Sequence, residues 1–245
     1  MPASQPPVPS VWVRQRRQRE RPALTLDRIV SEAVQLLDEE GLEALSMRSL
    51  GTRLDAGATS LYRHVANKDE LIELVVDEVY GELRVPSVEK AEGWRDGLAR
   101  SAHSLRAVIL RHPWMGAVLG QVGLTSLGPN VMRRSEDLLA LAHSAGFAPG
   151  EADRAVSTVL AYVIGVAIAE AAYLSTLARS GRTEQEWIDA VRPTAEQAFE
   201  DHPRVRAEYA AKGFTDPARV REEDFGYGLD RVLDGLQARL ASSTG

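Results

Sequence analysis

The chain has 245 residues, of which 44% are hydrophobic and 26% charged, a composition typical of a folded globular protein rather than a disordered one. It contains no cysteine, which excludes disulfides, thiolate metal sites and a thiol nucleophile. The formal net charge of −6, taken over the whole chain, argues against a nucleic-acid-binding protein.

The charge is distributed unevenly along the chain. Residues 1–66 hold nine Arg, no Lys and eight acidic residues, a net charge of +1, whereas residues 67–245 carry a net charge of −7. Two basic clusters stand out in the first part, at residues 11–22 and 46–68. Charge alone leaves open whether these clusters are solvated surfaces or contacts with phosphates.

Residues 1–22 are rich in Pro and Arg and predict a flexible basic arm. The arm lacks the apolar core of a signal peptide. The most apolar run, residues 159–174, is shorter than the ~20 residues of a membrane span and contains Glu170. We therefore expect a soluble, cytoplasmic protein without a membrane partner.

Helical spacing of apolar residues begins directly after the arm. It predicts four helices, at about residues 26–40, 47–54, 58–64 and 68–84. Thr25, Ser46 and Asn67 are suited to be the N-caps of the first, second and fourth helices. Asp-Ala-Gly at residues 55–57 predicts a turn between the second and third.

The pattern remains helical beyond Pro86. It predicts helices at residues 91–111, 114–122, 129–145, 151–179, 184–200 and 222–241. The polar region 201–223 contains two prolines and predicts a long, mobile connection. No alternating strand pattern of useful length is present, so the predicted fold class is all-α.

The two short helices at 47–54 and 58–64 have the spacing of a helix-turn-helix, which places its second helix in the DNA major groove. Small or hydrogen-bonding residues start the second helix, where it would approach base edges: Ala58, Thr59 and Ser60. Residues suited to contact phosphates surround them: Arg48, Tyr62, Arg63, His64 and Lys68. A helical hairpin that binds nothing would have the same periodicity, so both interpretations stay open at this point.

The run over residues 24–79, which contains SMRSLGTRL and SLYRHVANKDEL, resembles the N-terminal domain of the tetracycline-repressor (TetR) family of bacterial transcription regulators. Tyr62, His64 and Lys68 stand where this family has an aromatic residue, a His or Tyr, and a Lys near the phosphates. Asp55 replaces the common turn Gly, and Gly57 replaces a Ser or Thr cap, which leaves the base readout open.

Residues 86–245 resemble, more loosely, the C-terminal domain of the same family. The resemblance implies a small-molecule effector, a double-stranded DNA operator that is palindromic, and a homodimer formed through the last long helices. A monomeric core is the alternative. The implied organisation is a basic arm at 1–22, a helix-turn-helix DNA-binding domain at 23–68, a connecting helix at 69–85 and a larger helical ligand-binding and dimerisation domain at 86–245.

Polar or aromatic residues on apolar helices are candidates for the effector pocket, because a pocket needs a few oriented polar contacts. The candidates are Ser101, His103, Leu105, His112, Trp114, Gln121, Tyr162, Glu170 and Tyr173. Glu170 could bind an effector amine or hydroxyl, or pair with Arg154 or Arg106. Tetracycline with magnesium is not expected, since the loop 122–130 has no His and since Ser101 and Leu105 replace the family's polar drug contacts. We expect a mostly apolar ligand, with no cofactor and no metal site.

Other functions remain to be weighed against a DNA-binding regulator. We find no HExxH, GxSxG or phosphate-cradling Gly loop, so we do not expect an enzyme. A helical small-molecule-binding enzyme and a helical interaction module without DNA binding are the alternatives. The basic arm could follow the DNA or be a solubilising tail. Repression is the family's default, and an activator would have the same sequence features.

Overall fold

The structure, a computed structural model, describes residues 24–122, 127–212 and 216–243, and the predicted arm lies outside these residues. The described ranges hold eleven α-helices and no strand, which confirms the all-α class. In chain order the helices are α1 Leu26–Glu40, α2 Met47–Arg53, α3 Ala58–Leu61, α4 Lys68–Gly81, α5 Trp94–Arg111, α6 Met115–Val122, α7 Pro129–Ser144, α8 Glu151–Ser180, α9 Glu184–Ala198, α10 Pro203–Lys212 and α11 Pro217–Ser243.

Side-chain caps define the helices of the N-terminal part as predicted. The side chains of Thr25, Ser46 and Asn67 each accept a hydrogen bond from the backbone N–H three residues further on. Gly41, with φ of 80°, ends α1 at a backbone angle that favours glycine. These local interactions give α1, α2 and α4 their starting points without help from the rest of the chain.

The prediction of a long connection at 201–223 is wrong. This region contains α10 and the first turns of α11. The reason lies in the two prolines, since Pro203 and Pro217 each occupy the first position of a helix, where the missing N–H costs nothing. Asp216 adds an N-cap by accepting the Arg219 N–H at 3.0 Å. The prolines therefore start helices here and do not interrupt them.

Two hydrophobic clusters form the core. The first contains the buried faces of α1 to α4 together with four residues from the end of α5 and from the region of α6: Val108, Trp114, Met115 and Val118. The second is built by α5, α7, α8 and α11, and Phe225 is fully buried in it. We call α1–α4 the head and α5–α11 the body. The first cluster runs from the head into the body and so joins the two.

Asp77 provides a second connection, between α4 and the body. Its Oδ1 accepts the backbone N–H groups of Asn130 and Val131, each at 2.9 Å, and so caps the start of α7. A Cβ at Gly128 would overlap the Asp77 carboxylate, so glycine is required there. The far half of α4 is therefore fixed to the body.

The helix α8 extends well beyond the apolar run at residues 159–174. It has 30 residues and a stretch of mean hydropathy 1.9, which makes it long and apolar enough to cross a membrane by length and composition. One face is buried against α5, α7 and α11, through residues such as Val159, Val163 and Ala167. This packing is that of a central helix in a globular body.

Candidate functional site

The first candidate site is the helix-turn-helix of α2 and α3. The turn requires a close approach of backbones, because a Cβ on Gly51 would lie 2.8 Å from the carbonyl oxygen of Ala56. Asp55 takes a left-handed conformation with φ of 50°, which Asp tolerates better than most residues. The turn thus forms in spite of the two departures from the family pattern.

The recognition helix presents its polar side to solvent. Leu61 and Val65 are buried beneath it, whereas Thr59, Arg63 and His64 are exposed and Tyr62 keeps 53% of its surface accessible. Ala58 and Ser60 are half-buried, at the end that would approach bases. The α-helix proper ends at Leu61, and a turn continues it as far as His64.

Four candidate phosphate contacts are exposed on α2, directly after α3 and at the start of α4. Arg48, Arg63, His64 and Lys68 are exposed and take part in no ion pair within the described residues. Exposed Arg and Lys side chains without an ion pair are suited to displace counterions from DNA. Of the eight predicted DNA-binding residues, which lie in α2, in and directly after α3 and at the start of α4, six are exposed and Ala58 and Ser60 are half-buried; we call this set of residues the reading surface.

Arg53, the remaining cation of the basic cluster at 46–68, has a different role. Its Nε donates to Glu32 at 2.6 Å, and its Nη1 donates to Glu39 at 2.7 Å. The hydrogen bonds to Glu39 and Glu32 raise the pKa of Arg53 above its usual range, and Arg53 in turn lowers the pKa of Glu39. Arg53 joins α2 to α1 and is not available for phosphates.

A polar joint links the head to the body. Asp38 Oδ1 of α1 accepts a hydrogen bond from Trp114 Nε1 at 2.7 Å and lies 2.7 Å from His112 Nδ1. His112 Nε2 faces Glu82 Oε1 at 3.2 Å, just after α4. His112 is only 3% exposed, so its ring is enclosed between these two carboxylates. The side chains of His112 and Trp114, predicted for the effector pocket, occupy this joint.

The second candidate site is a cavity of about 610 Å³ between α8, α9 and α11. Tyr162, Glu170 and Tyr173, three of the predicted effector residues, line it together, as their spacing along one helix face predicts. Ile188 of α9 and Phe225 of α11 complete an aromatic and apolar wall. We call this space the α8–α11 cavity.

A cluster of charged groups forms around Glu170, one of the residues that line the α8–α11 cavity. Arg106 of α5 donates through Nε and Nη2 to the two oxygens of Glu170, at 2.7 and 2.9 Å, and also binds Glu222. Arg221 donates to Glu170 at 3.2 Å and pairs with Glu184. Of the two partners predicted for Glu170, the structure has Arg106. Burial disfavours the charge of Arg106, but its hydrogen bonds to Glu170 and Glu222 prevail and raise its pKa.

The two tyrosines of the cavity are held as neutral phenols. Burial is the main cause that raises the pKa of Tyr162 and of Tyr173, and a hydrogen bond to Glu184 adds to the effect at Tyr173. The Tyr162 hydroxyl donates to the Phe225 carbonyl at 2.8 Å. The cavity therefore combines apolar walls with a few fixed polar groups, the usual make-up of a small-molecule site.

The remaining predicted effector residues whose side chains the structure describes do not line this cavity. Ser101 and Leu105 are buried in the body core, where Ser101 Oγ donates to the Gly97 carbonyl at 2.8 Å. His103 is exposed on α5, with its Nδ1 3.3 Å from Glu222 Oε1 and its ring edge-on to Phe225. Gln121 falls in α6, but its side chain is outside the described residues.

The head, with its reading surface, and the body, with its cavity, define a helix-turn-helix regulator with a separate ligand-binding body. Residues 29–75 match the model of the bacterial regulatory proteins of the tetR family, and residues 85–240 match the tetracyclin repressor-like C-terminal domain. Together the matches span most of the chain, which therefore belongs to the TetR family.

Individual relatives agree with this assignment. An HTH-type transcriptional regulator of Saccharopolyspora erythraea is 38% identical, with 96% of this chain and 93% of the relative covered. The HTH-type transcriptional repressor DrrR1 of Streptomyces coeruleorubidus is 35% identical, with 92% and 82% covered. The structure of ActR from Streptomyces coelicolor in complex with actinorhodin is similar with a TM-score of 0.71 and 32% identity, covering 89% of this chain and 97% of ActR.

Family membership decides between the functions that the sequence leaves open. The protein is a ligand-responsive DNA-binding transcriptional regulator, and it is not an enzyme. The net charge of −6 is compatible with this function, because the reading surface of the head carries cations that have no ion pair among the described residues.

Proposed function

We propose that this protein is a repressor that binds a palindromic operator as a homodimer and is released from it by a small-molecule effector. The observation that carries the proposal is the reading surface, which is exposed and whose cations form no ion pairs within the described part of the chain. One short recognition helix buries too little area to be specific alone, so two heads are needed. Two-fold symmetry of the heads implies two-fold symmetry of the operator.

The exposed sides of α8 and α11 are suited to form the dimer. On α8, small residues follow one another at helical spacing on the solvent side, among them Ala161, Gly165, Ala169 and Ala172. On α11, the ring of Tyr227 is 68% exposed. Small residues permit close approach of helices, so two copies of this α8–α11 pair would form a four-helix interface. Gly165 and Ala169 also border the α8–α11 cavity, so the partner copy would help to enclose it.

Light scattering at micromolar concentration tests the dimer. We expect a mass of two chains for the unaltered protein and of one chain for Ala161→Glu, which places a charge in the middle of the interface. Asp153→Ala, an exposed change near the start of α8, is the control and should remain dimeric. A monomeric unaltered protein would refute the homodimer.

We place the effector in the α8–α11 cavity. Glu170 is already neutralised by two arginines, which makes it a poor ligand for an additional metal ion. The aromatic walls favour a mostly apolar ligand with a few hydrogen-bonding groups. ActR was crystallised with actinorhodin, so actinorhodin is a suitable first probe for this chain.

Calorimetry with actinorhodin tests the effector site. Ile188→Trp would fill the cavity from α9 without touching the Arg106–Glu170 pair, and we expect it to abolish binding. Val191→Trp, a change at an exposed position of the same helix, is the control and should bind as the unaltered protein does. Equal binding of actinorhodin by both variants would show that it does not bind in this cavity.

Helix α5 provides a physical connection between the cavity and the head. Arg106 of α5 binds Glu170, which lines the cavity, and His112 follows the end of the same helix at the joint with Asp38. A ligand that shifts Glu170 or Arg106 would therefore bias the position of the head through α5. The response can be no larger than the difference in ligand affinity between the two conformations.

The basic arm is proposed as an additional DNA contact, along the backbone or in an adjacent minor groove. Deleting residues 1–21 removes five arginines, at positions 14, 16, 17, 19 and 21. We expect weaker operator binding and a shallower dependence on salt. Unchanged affinity and salt dependence would identify the arm as a solubilising tail.

As a regulator of genomic DNA, the protein is expected to act in the cytoplasm.

A further inference from the structure

A basic groove lies at the connection between α4 and α5, and it shares no lining residue with the α8–α11 cavity. It has a volume of about 730 Å³, and its lining includes Arg84, Lys90, Arg100, His103 and Ser104. Among the described residues, no carboxylate lines it. Residues 67–245 carry a net charge of −7, yet this groove is lined by three permanent cations and a histidine.

Two of these cations have no ion pair. Arg84 and Lys90 take part in no salt bridge among the described residues, and both are exposed. The carboxylate beside Lys90 is that of Glu89: a hydrogen bond from Ser87 is the main cause that lowers the pKa of Glu89, and the charge of Lys90 lowers it further. Arg100 pairs with Asp96 at 3.4 Å, a long contact that an incoming anion could replace.

Backbone and hydroxyl groups hold the groove in shape. The Arg84 N–H donates to Ser104 Oγ at 2.8 Å, which fixes the segment after α4 against α5 and leaves the Ser104 hydroxyl hydrogen able to donate. The short 3-10 helix Val88–Lys90 brings Lys90 to the same groove. The backbone carbonyl of Lys90 accepts a hydrogen bond from Arg100 Nη1 at 3.4 Å. Cations from three successive segments therefore converge on one space.

The groove continues into a neighbouring one of about 1000 Å³ that shares Arg84, His103 and Ser104. Arg134 lines this second part: its Nη1 pairs with Asp137 and its Nη2 donates to the Gly81 carbonyl, whereas its Nε is buried without a hydrogen-bond partner among the described residues. A buried, unsatisfied donor is costly unless an acceptor reaches it. The carboxylate of Glu82 also lines this part, but it is already bound to Arg111 and lies beside His112.

We infer that this groove binds a small anion that carries a carboxylate or phosphate group, as a second ligand site distinct from the α8–α11 cavity. Charge-assisted hydrogen bonds from arginine are the strongest that such a group can receive in a protein. The anion would join the segment after α4 to α5, and so would fix the connection between the head and the body. Its binding would therefore change operator affinity without occupying the aromatic cavity.

Calorimetric titration of the full chain with inorganic phosphate and with citrate, at constant ionic strength, tests this site. We expect saturable binding of one anion per chain by at least one probe, with a Kd of about 1 mM or lower. Binding of phosphate alone would support the site with a phosphate ester as its natural ligand, and binding of citrate alone would support it with a carboxylate. Absence of saturation with both probes would overturn the proposal.

Variants distinguish the groove from other cationic surfaces. Arg84→Ala keeps the backbone bond to Ser104, and we expect it to bind the anion roughly tenfold more weakly. Arg204→Ala, an exposed arginine on α10, and Lys68→Ala, on the reading surface, should bind as the unaltered protein does. If Arg84→Ala binds normally, or if Lys68→Ala removes the binding, the anion site is not in this groove. The thermal unfolding midpoint of each variant confirms that it is folded.

Discussion

Asp38 of α1 and His112, which follows α5, are in direct contact, with 2.7 Å between Oδ1 and Nδ1. The two residues are 74 positions apart in the sequence and belong to the head and the body respectively. The same carboxylate oxygen accepts from Trp114. A single side chain of the head thus holds two side chains of the body.

Removal of this carboxylate should weaken the joint. Asp38→Ala leaves the buried Trp114 Nε1–H without its acceptor and removes the carboxylate that contacts His112 Nδ1, and we expect the free energy of unfolding to fall by about 1–3 kcal/mol. Urea unfolding followed by circular dichroism measures it. Glu43→Ala, an exposed carboxylate of the same head, is the control and should have little effect. Equal decreases for the two variants would show that the joint contributes nothing specific.

Arg48 and Arg53 lie five positions apart and should differ in function. Arg48→Ala removes a cation of the reading surface, so we expect weaker operator binding and a salt slope reduced by about 0.9 for each phosphate that is no longer neutralised. Arg53→Ala breaks the ion pairs with Glu32 and Glu39, and it should lower the urea midpoint while leaving the salt slope unchanged. Fluorescence anisotropy at several salt concentrations measures the slopes. A reduced slope in Arg53→Ala would contradict the assignment.

The turn of the helix-turn-helix should tolerate a methyl group at one glycine and not at another. Gly51→Ala puts a Cβ against the Ala56 carbonyl, and we expect the turn to shift and operator binding to be abolished. Gly57→Ala has open space around its Cβ and is expected to bind operator with little change. Parallel gel shifts of the two variants make the comparison. Normal binding by Gly51→Ala would contradict the close approach.

Removal of one partner of the buried Arg106–Glu170 pair should strongly destabilise the folded protein. Their side chains are 9% and 8% exposed, and Glu170→Ala would leave a buried guanidinium with fewer partners. We expect the free energy of unfolding, measured in urea, to fall by about 3–5 kcal/mol. Asp189→Ala breaks the exposed pair with Arg192 and should cause little measurable change. Similar small effects in both variants would contradict the role of the buried pair.

Alkaline pH should reduce stability through the buried tyrosines. Burial is the main cause that raises the pKa of Tyr80, Tyr162 and Tyr173 in the folded protein. The pKa of a tyrosine in the unfolded chain is about 10, so the stability gained by burying these neutral phenols is fully present below pH 10. It is lost as the pH rises through their higher pKa values in the folded protein. Urea unfolding between about pH 9 and 11 tests this. The decline should be shallower in Tyr80→Phe, and an identical decline would refute the effect of Tyr80.

Local interactions explain how much of the fold is predictable from the sequence. Caps such as Thr25 and Ser46 act within one helical turn, so the sequence reveals them directly. The shared face of Tyr162 and Tyr173 follows from the helical repeat, so their common cavity is also predictable. The prediction of a connection at 201–223 is wrong because it takes proline only as a helix breaker, although proline also starts helices.

Contacts between distant segments are mostly not predictable in this way; for Glu170 the sequence proposes two partners, and only the structure selects Arg106. The carboxylates that bind Arg53 lie on another helix, and nothing in a basic cluster indicates which of its members is already paired. His112 and Trp114 are predicted as pocket residues because they are polar or aromatic within an apolar region. The acceptor that places them at the joint is Asp38, far away in the chain. Such pairs depend on tertiary packing, which helical periodicity does not contain.

The most direct test of the central claim is a salt titration of binding to the DNA upstream of the protein's own gene, measured by fluorescence anisotropy. We expect saturable binding by two chains per operator, at least ~10³-fold tighter than binding to unrelated DNA of the same length. A combined Arg48→Ala and Lys68→Ala variant should lose this binding and remain folded. Each palindromic segment of the upstream region is tested separately at about 150 mM salt. If none of them binds more tightly than the unrelated DNA, the claim is contradicted.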